Sequence, residues 1–167
     1  IKYRCIFFFF LICISAIAQK DSDLIPFRKG DLFGYSDTNL KIIIAPAYTR
    51  ADFFYNGMAQ VCKGDKYGYI NTKGDLIIPL IYDYNWERPA HFGNGLGLIC
   101  VKQNEGGFLY GYINKSGKVV QKAELYFAEN FDKGAAFVQS NAGANLLLDS
   151  NLHILKNFAQ IEPVNMD

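Results

Sequence analysis

The only imidazoles in the 167-residue chain are His91 and His153. That scarcity limits the reactions the sequence can be expected to run. Acyl transfer needs a nucleophile, a base and a group that orients the base, and neither histidine has an evident nucleophile beside it. Both are expected to be ordinary surface residues. Asp83, Glu87 and Asp132 carry carboxylates that could in principle form an acid/base pair, but their surroundings suggest solvated loops. Cys62 and Cys100 stand apart from each other and from any histidine, so the spacing supports neither dithiol redox chemistry nor a tetrahedral zinc site. Glu105-Gly106-Gly107 lies between two strand-like runs rather than before a helix, so it reads as a hairpin connection and not as a phosphate cradle. No catalytic residue, metal ligand or cofactor is expected. What remains is binding chemistry, concentrated in the stretch IYDYNWERPAHF. Its Tyr84, Trp86, Arg88 and His91 combine rigid aromatic area with hydrogen-bond donors, the types that concentrate binding energy at interfaces, and Trp86 is the sole tryptophan.

That stretch interrupts a repeat. An aromatic-Gly-Tyr phrase recurs as Phe33-Gly34-Tyr35, Tyr67-Gly68-Tyr69 and Tyr110-Gly111-Tyr112, with Leu146-Leu147-Leu148 as a decayed fourth copy before Asp149. A second phrase keeps step with it: Phe54-Tyr55-Asn56-Gly57, Phe92-Gly93-Asn94-Gly95 and Phe131-Asp132-Lys133-Gly134. Two phrases alternating at intervals of 34 to 43 residues mark a repeat architecture. Each unit holds short apolar runs bounded by Gly, Asn and Asp, which is strand punctuation. The expected fold is all-β: tandem three-stranded antiparallel meanders in an open, elongated or solenoid-like stack. A propeller is disfavoured, because it needs blades of four strands each.

Two features of the unit leave alternatives open. The strand glycines Gly68 and Gly111 either make room for the corner phenylalanines or mark β-bulges. The turns Asn71-Thr72-Lys73-Gly74 and Asn114-Lys115-Ser116-Gly117 fit a type I turn closed by a glycine of positive φ. In the first and last copies Asn39 and Asn151 stand one place earlier, so those turns are expected to be shorter. Cys62 and Cys100 occupy one repeat position. Directly stacked strands would bring them about 4.8 Å apart and allow a disulfide, whereas a plain meander separates them by about 14 Å and leaves them free. The meander predicts free, partly buried thiols.

The chain opens with Lys2 and Arg4, an apolar run to Ile14 and then Ala16-Ile17-Ala18. This is the anatomy of a signal peptide cleaved after Ala18, too short to span a bilayer. Ile1 in place of Met suggests that the gene product starts earlier. The expected layout is a signal peptide over 1–18, a linker over 19–32, the repeat domain over 33–155 and a tail over 156–167. Seventeen basic against sixteen acidic residues leave no basic stripe for nucleic acid.

The residues resemble the WG β-repeat family, whose consensus runs Phe-x-x-Gly-x-Ala-x-Val, then Trp-Gly-Tyr-Ile-Asp-x-x-Gly-Lys-x-Val-x-Pro. Phe54, Gly57, Ala59 and Val61 match the first phrase; Gly68, Tyr69, Ile70, Asn71, Gly74, Ile78 and Pro79 match the second. The family's tryptophan is Phe33, Tyr67 or Tyr110 here, and Pro79 has no counterpart at Gln121. The resemblance implies a bacterial, often exported repeat scaffold with no shared catalytic residues. The function expected is that of a non-catalytic interaction module at the cell envelope, periplasmic, cell-surface or secreted. Its partner would be another protein or, alternatively, a cell-surface glycan held on surface aromatics, with no stable membrane span after signal cleavage.

Overall fold

A computed structural model describes residues 24–85 and 87–158. The expected signal peptide, Trp86 and the end of the chain lie outside the described residues. Within them the protein is all-β, and no helix is long and apolar enough to cross a membrane. Four antiparallel sheets follow one another in an open stack. The first comprises β1 (Ile25–Lys29), β2 (Leu32–Ser36) and β3 (Ile42–Tyr48). The second comprises β4 (Arg50–Ala51), β5 (Met58–Lys63), β6 (Lys66–Asn71) and β7 (Leu76–Asp83). The third comprises β8 (Phe92–Gly93), β9 (Leu96–Lys102), β10 (Phe108–Asn114) and β11 (Val119–Leu125). The fourth comprises β12 (Phe127–Ala128), β13 (Ala135–Gln139), β14 (Asn145–Asp149) and β15 (Ile154–Phe158).

The meander is present in every sheet, and β4, β8 and β12 add a two-residue strand to three of them. Two boundaries move. Residues 25–32 are not linker, because β1 pairs with β2 along its whole length. Residues 156–158 are not tail, because β15 pairs with β14 as far as Phe158. Contacts between sheets join neighbours in the chain, β2 to β4, β3 to β5, β7 to β9 and β10 to β12.

The strand glycines answer to bulges. On the outer side of β6, Tyr67 pairs with Tyr82 and Tyr69 with Ile78, so Pro79, Leu80 and Ile81 all stand opposite Gly68. The same irregularity faces Gly34 and Gly111. A Cβ on Gly68 would run into the carbonyl oxygen of Ile78 and the carbonyl group of Pro79; on Gly111 it would meet Gln121, Lys122 and Ala123 backbone. The fourth sheet supplies an internal control. Counted back from Asp149, the glycine's place falls on Leu146, one residue earlier than the alignment of Leu146-Leu147-Leu148 with the aromatic-Gly-Tyr phrase puts it, and the outer strand runs in plain register there, with Leu146 opposite Asn157 and Asn145 opposite Phe158. Where the side chain returns, the bulged backbone cannot approach.

The turns are also uniform, which corrects the expectation of shorter terminal ones. In each, an Asn or Asp side chain brackets the loop. Asn71 Oδ1 accepts from the Lys73 and Asp75 amides, and Asp37, Asn114 and Asp149 do the same in their units. That bracket fixes the loop length. The positive φ therefore falls on Leu40 (64°) and Leu152 (67°), where the inner copies have Gly74 and Gly117. A leucine in this region costs about 1–2 kcal/mol, and the cost is tolerated because the side chain of Asp37 or Asp149 holds the rest of the turn.

Both thiols are free and buried, and burial pushes each up to about 12. Cys100 Sγ donates to the Asp83 carbonyl at 2.6 Å.

Two outcomes follow for urea unfolding. Gly68→Ala should cost about 3 kcal/mol through backbone overlap, whereas Gly64→Ala, whose Cβ would meet nothing within 4 Å, should cost only about 1 kcal/mol for its positive φ; equal costs would refute the bulge account. Leu40, 77% exposed, loses no packing on truncation, so Leu40→Gly should stabilise by about 0.5–1 kcal/mol, strain relief less the chain entropy of glycine.

Candidate functional site

The segment between β7 and β8 is held from both sides. Tyr84 N donates to the Asp65 carbonyl at 2.9 Å. Buried Asn85 donates from Nδ2 to Tyr110 Oη at 2.8 Å and accepts the Glu87 amide on Oδ1. From the following sheet, Asn130 donates to the Pro89 carbonyl and accepts the His91 amide, both at 2.9 Å. These two asparagines were not among the residues picked from sequence. Asn130 carried a signal, since it sits at the repeat position of Phe53 and His91. A buried Asn85 inside an aromatic-rich insertion carried none.

Three of the four candidate binding residues are described, and they are dispersed. Tyr84 packs against the core, with the Arg50 guanidinium 4.9 Å from its ring centre. Arg88 lies 3.9 Å from the ring centre of Phe127 on the next sheet. His91 stacks on Tyr55 of the preceding corner, ring centres 4.6 Å apart. Trp86 lies outside the described residues.

His91 instead lines a cleft with Asp52, Phe53, Tyr55, Pro89 and Ala90, about 180 Å³ in volume. Arg88 lines a second depression of about 340 Å³ with Glu87, Pro89, Leu98, Ala128, Glu129 and Asn130. Pro89 is the wall between them. Burial pushes the Asp52 carboxyl up, with Arg50 partly offsetting it. Burial holds the His91 imidazole below its usual range, against the pull of Asp132. The other carboxylates named from sequence serve the scaffold. Partial burial of Asp83 is outweighed by Lys66 Nζ at 2.6 Å and the Lys102 amide at 3.0 Å, which keep it ionised below the usual range. Asp132 closes the corner hairpin with Ala135, and Glu87 is exposed in the loop. Among the described residues no three His, Cys, Asp or Glu side chains gather as a metal site.

A histidine that binds its proton more weakly when folded leaves stability untouched above its unfolded pKa of about 6.5 and removes stability as pH falls through that value. His91→Gln should therefore flatten the acid side of the stability profile between about pH 7.5 and 5. Urea midpoints of wild type and variant across that range check it; parallel profiles would show that His91 titrates alike in both states.

The corners and the aromatic-Gly-Tyr strands that frame this site carry the comparison with known proteins. The WG containing repeat family matches residues 33–67, 67–106 and 110–142. No curated protein matches the chain. Each matched segment begins near the start of one sheet's β2, β6 or β10 strand, at Phe33, Tyr67 or Tyr110, and runs across the junction into the next sheet, so that it contains one Tyr35–Phe54, Tyr69–Phe92 or Tyr112–Phe131 ring contact. With three tandem matches covering more than half of its length, the chain belongs to the WG containing repeat family.

Proposed function

We propose that this is an exported, non-catalytic interaction module that presents a row of apolar side chains to a protein partner at the cell envelope. The observation that carries this reading is a pair of positions at the head of every outer strand. They hold Ile42-Ile43, Leu76-Ile77, Val119-Val120 and Ile154-Leu155, and all but Ile77 are exposed. The second of each pair is the extra residue of a small bulge, since Tyr35 and Ser36 pair with Ile44 and Ile42, and the other units repeat this offset. A bulge re-aims a side chain away from the sheet's own face. Stacking aligns the first three pairs, because the Gly74 turn lies against the Ile44 side chain and Gly117 against the Ile77 carbonyl. Apart from Ile77, which packs against the core, these side chains stay exposed, and exposed apolar surface that recurs at one place in each unit marks a site of association. The charged amino-terminal stretch followed by an apolar run and Ala16-Ile17-Ala18 supports export.

The test is capture from envelope extract by wild type and by an Ile43→Lys, Val120→Lys double variant. Loss of about 2 kcal/mol, roughly thirtyfold in Kd, is expected for the captured protein, with the thermal midpoint unchanged. Undiminished capture by the double variant would refute the apolar row as the contact surface.

A further inference from the structure

We infer that the cleft formed by Asp52, Phe53, Tyr55, Pro89, Ala90 and His91 binds one ring of a neutral saccharide. The site is separate from the apolar row at the heads of the outer strands and does not depend on it. Its aromatic surface is open: Phe53 is 58% exposed and Tyr55 43%, although each flanks Phe54, which is buried in the core. Flat apolar surface of this kind suits the C–H face of a pyranose. Beside it, the Asp52 carboxylate takes no hydrogen bond among the described residues, yet the residue itself is fixed, because its amide donates to the Gln60 carbonyl and its own carbonyl accepts Tyr35 Oη at 2.8 Å. A carboxylate carried on a fixed backbone, with its lone pairs free, can accept two neighbouring hydroxyls. His91 is held equally firmly, by Asn130 at its amide and by Tyr55 at its ring face. Its neutral imidazole offers one donor and one acceptor.

Charge and size choose among ligands. Arg50 offsets part of the Asp52 charge, so an ammonium group would gain less here than beside an isolated carboxylate. The same carboxylate repels anions. A cleft of about 180 Å³ falls below the roughly 300–1,000 Å³ of sites for larger organic ligands, which leaves a single ring. A chain of rings would continue across Pro89, where the second depression offers Glu87 and Glu129 beside Leu98 and Ala128.

Saturation-transfer NMR of the purified protein with the methyl glycosides of glucose, galactose, mannose and N-acetylglucosamine tests this, with methyl glucuronate and ethanolammonium as charged controls. Transfer to ring protons of at least one neutral glycoside is expected. Asp52→Asn and Phe53→Ala should each weaken it about tenfold or more, with circular dichroism and thermal midpoint unchanged. The Ile43→Lys, Val120→Lys variant should bind the glycoside as wild type does, which separates failure of this site from failure of the protein-binding row. Absence of transfer to every neutral glycoside, stronger binding of either charged control, or undiminished binding by both cleft variants would overturn the assignment.

Discussion

The stack depends on one joint between sheets. A tyrosine from the middle of one sheet lies on the corner phenylalanine of the next: Tyr35 on Phe54, Tyr69 on Phe92 and Tyr112 on Phe131, each with ring centres 4.8 Å apart. The rings are fully enclosed, so each hydroxyl must find an acceptor or cost about 1–3 kcal/mol. Tyr35 and Tyr112 donate to the Asp52 and Glu129 carbonyls, at the same place two residues before the corner phenylalanine. Tyr69 departs from this pattern and donates to the Leu98 carbonyl, which it shares with Tyr67. Tyr67 Oη also accepts the Cys100 amide. The ring pair adds about 0.5–1.5 kcal/mol beyond area burial, and the hydroxyl fixes the spacing and rotation that dispersion alone would leave loose.

The ends of the described stack follow from the same joint. Ile70 and Ile113 face the preceding unit and are buried; at their place the first unit has Ser36, whose hydroxyl is buried without a partner among the described residues. At the other end Leu147 stands where the joint tyrosines stand, with no corner phenylalanine after it among the described residues. Terminal units that drift in this way are typical of repeat stacks.

Much of this was legible in sequence because it rests on local chemistry. The corners require Asn-Gly or Lys-Gly at two positive φ values, a geometry that matches strand twist. The runs between them have strand length and punctuation. What escaped reading depends on partners distant in the chain. Strands of two residues, such as Arg50–Ala51, have no periodicity. Pro79, Leu80 and Ile81 look like uninterrupted strand until Gly68 is set opposite them. The leucine at positive φ is decided by the side chain of Asp37, not by the nearby Asn39. At the candidate site, Arg88 and His91 have the composition of one interface, but Phe127 and Tyr55 draw them to different neighbours. Asn130, more than three dozen residues downstream of Pro89, sets the loop between them.

The family's sequence repeat and the sheet are out of phase. The match at 33–67 ends as β6 begins, so the second sheet takes β4 and β5 from one repeat and β6 and β7 from the next. Duplicating a segment of this kind in the gene would insert a complete joint and divide its strands between two sheets, each restored to full width by its neighbours. No unpaired half-sheet would be left at the seam. Lineages can therefore lengthen or shorten such a protein by whole segments while every new boundary falls inside hydrogen-bonded sheet, which makes stack length an easily varied trait and reach between partners an adjustable one.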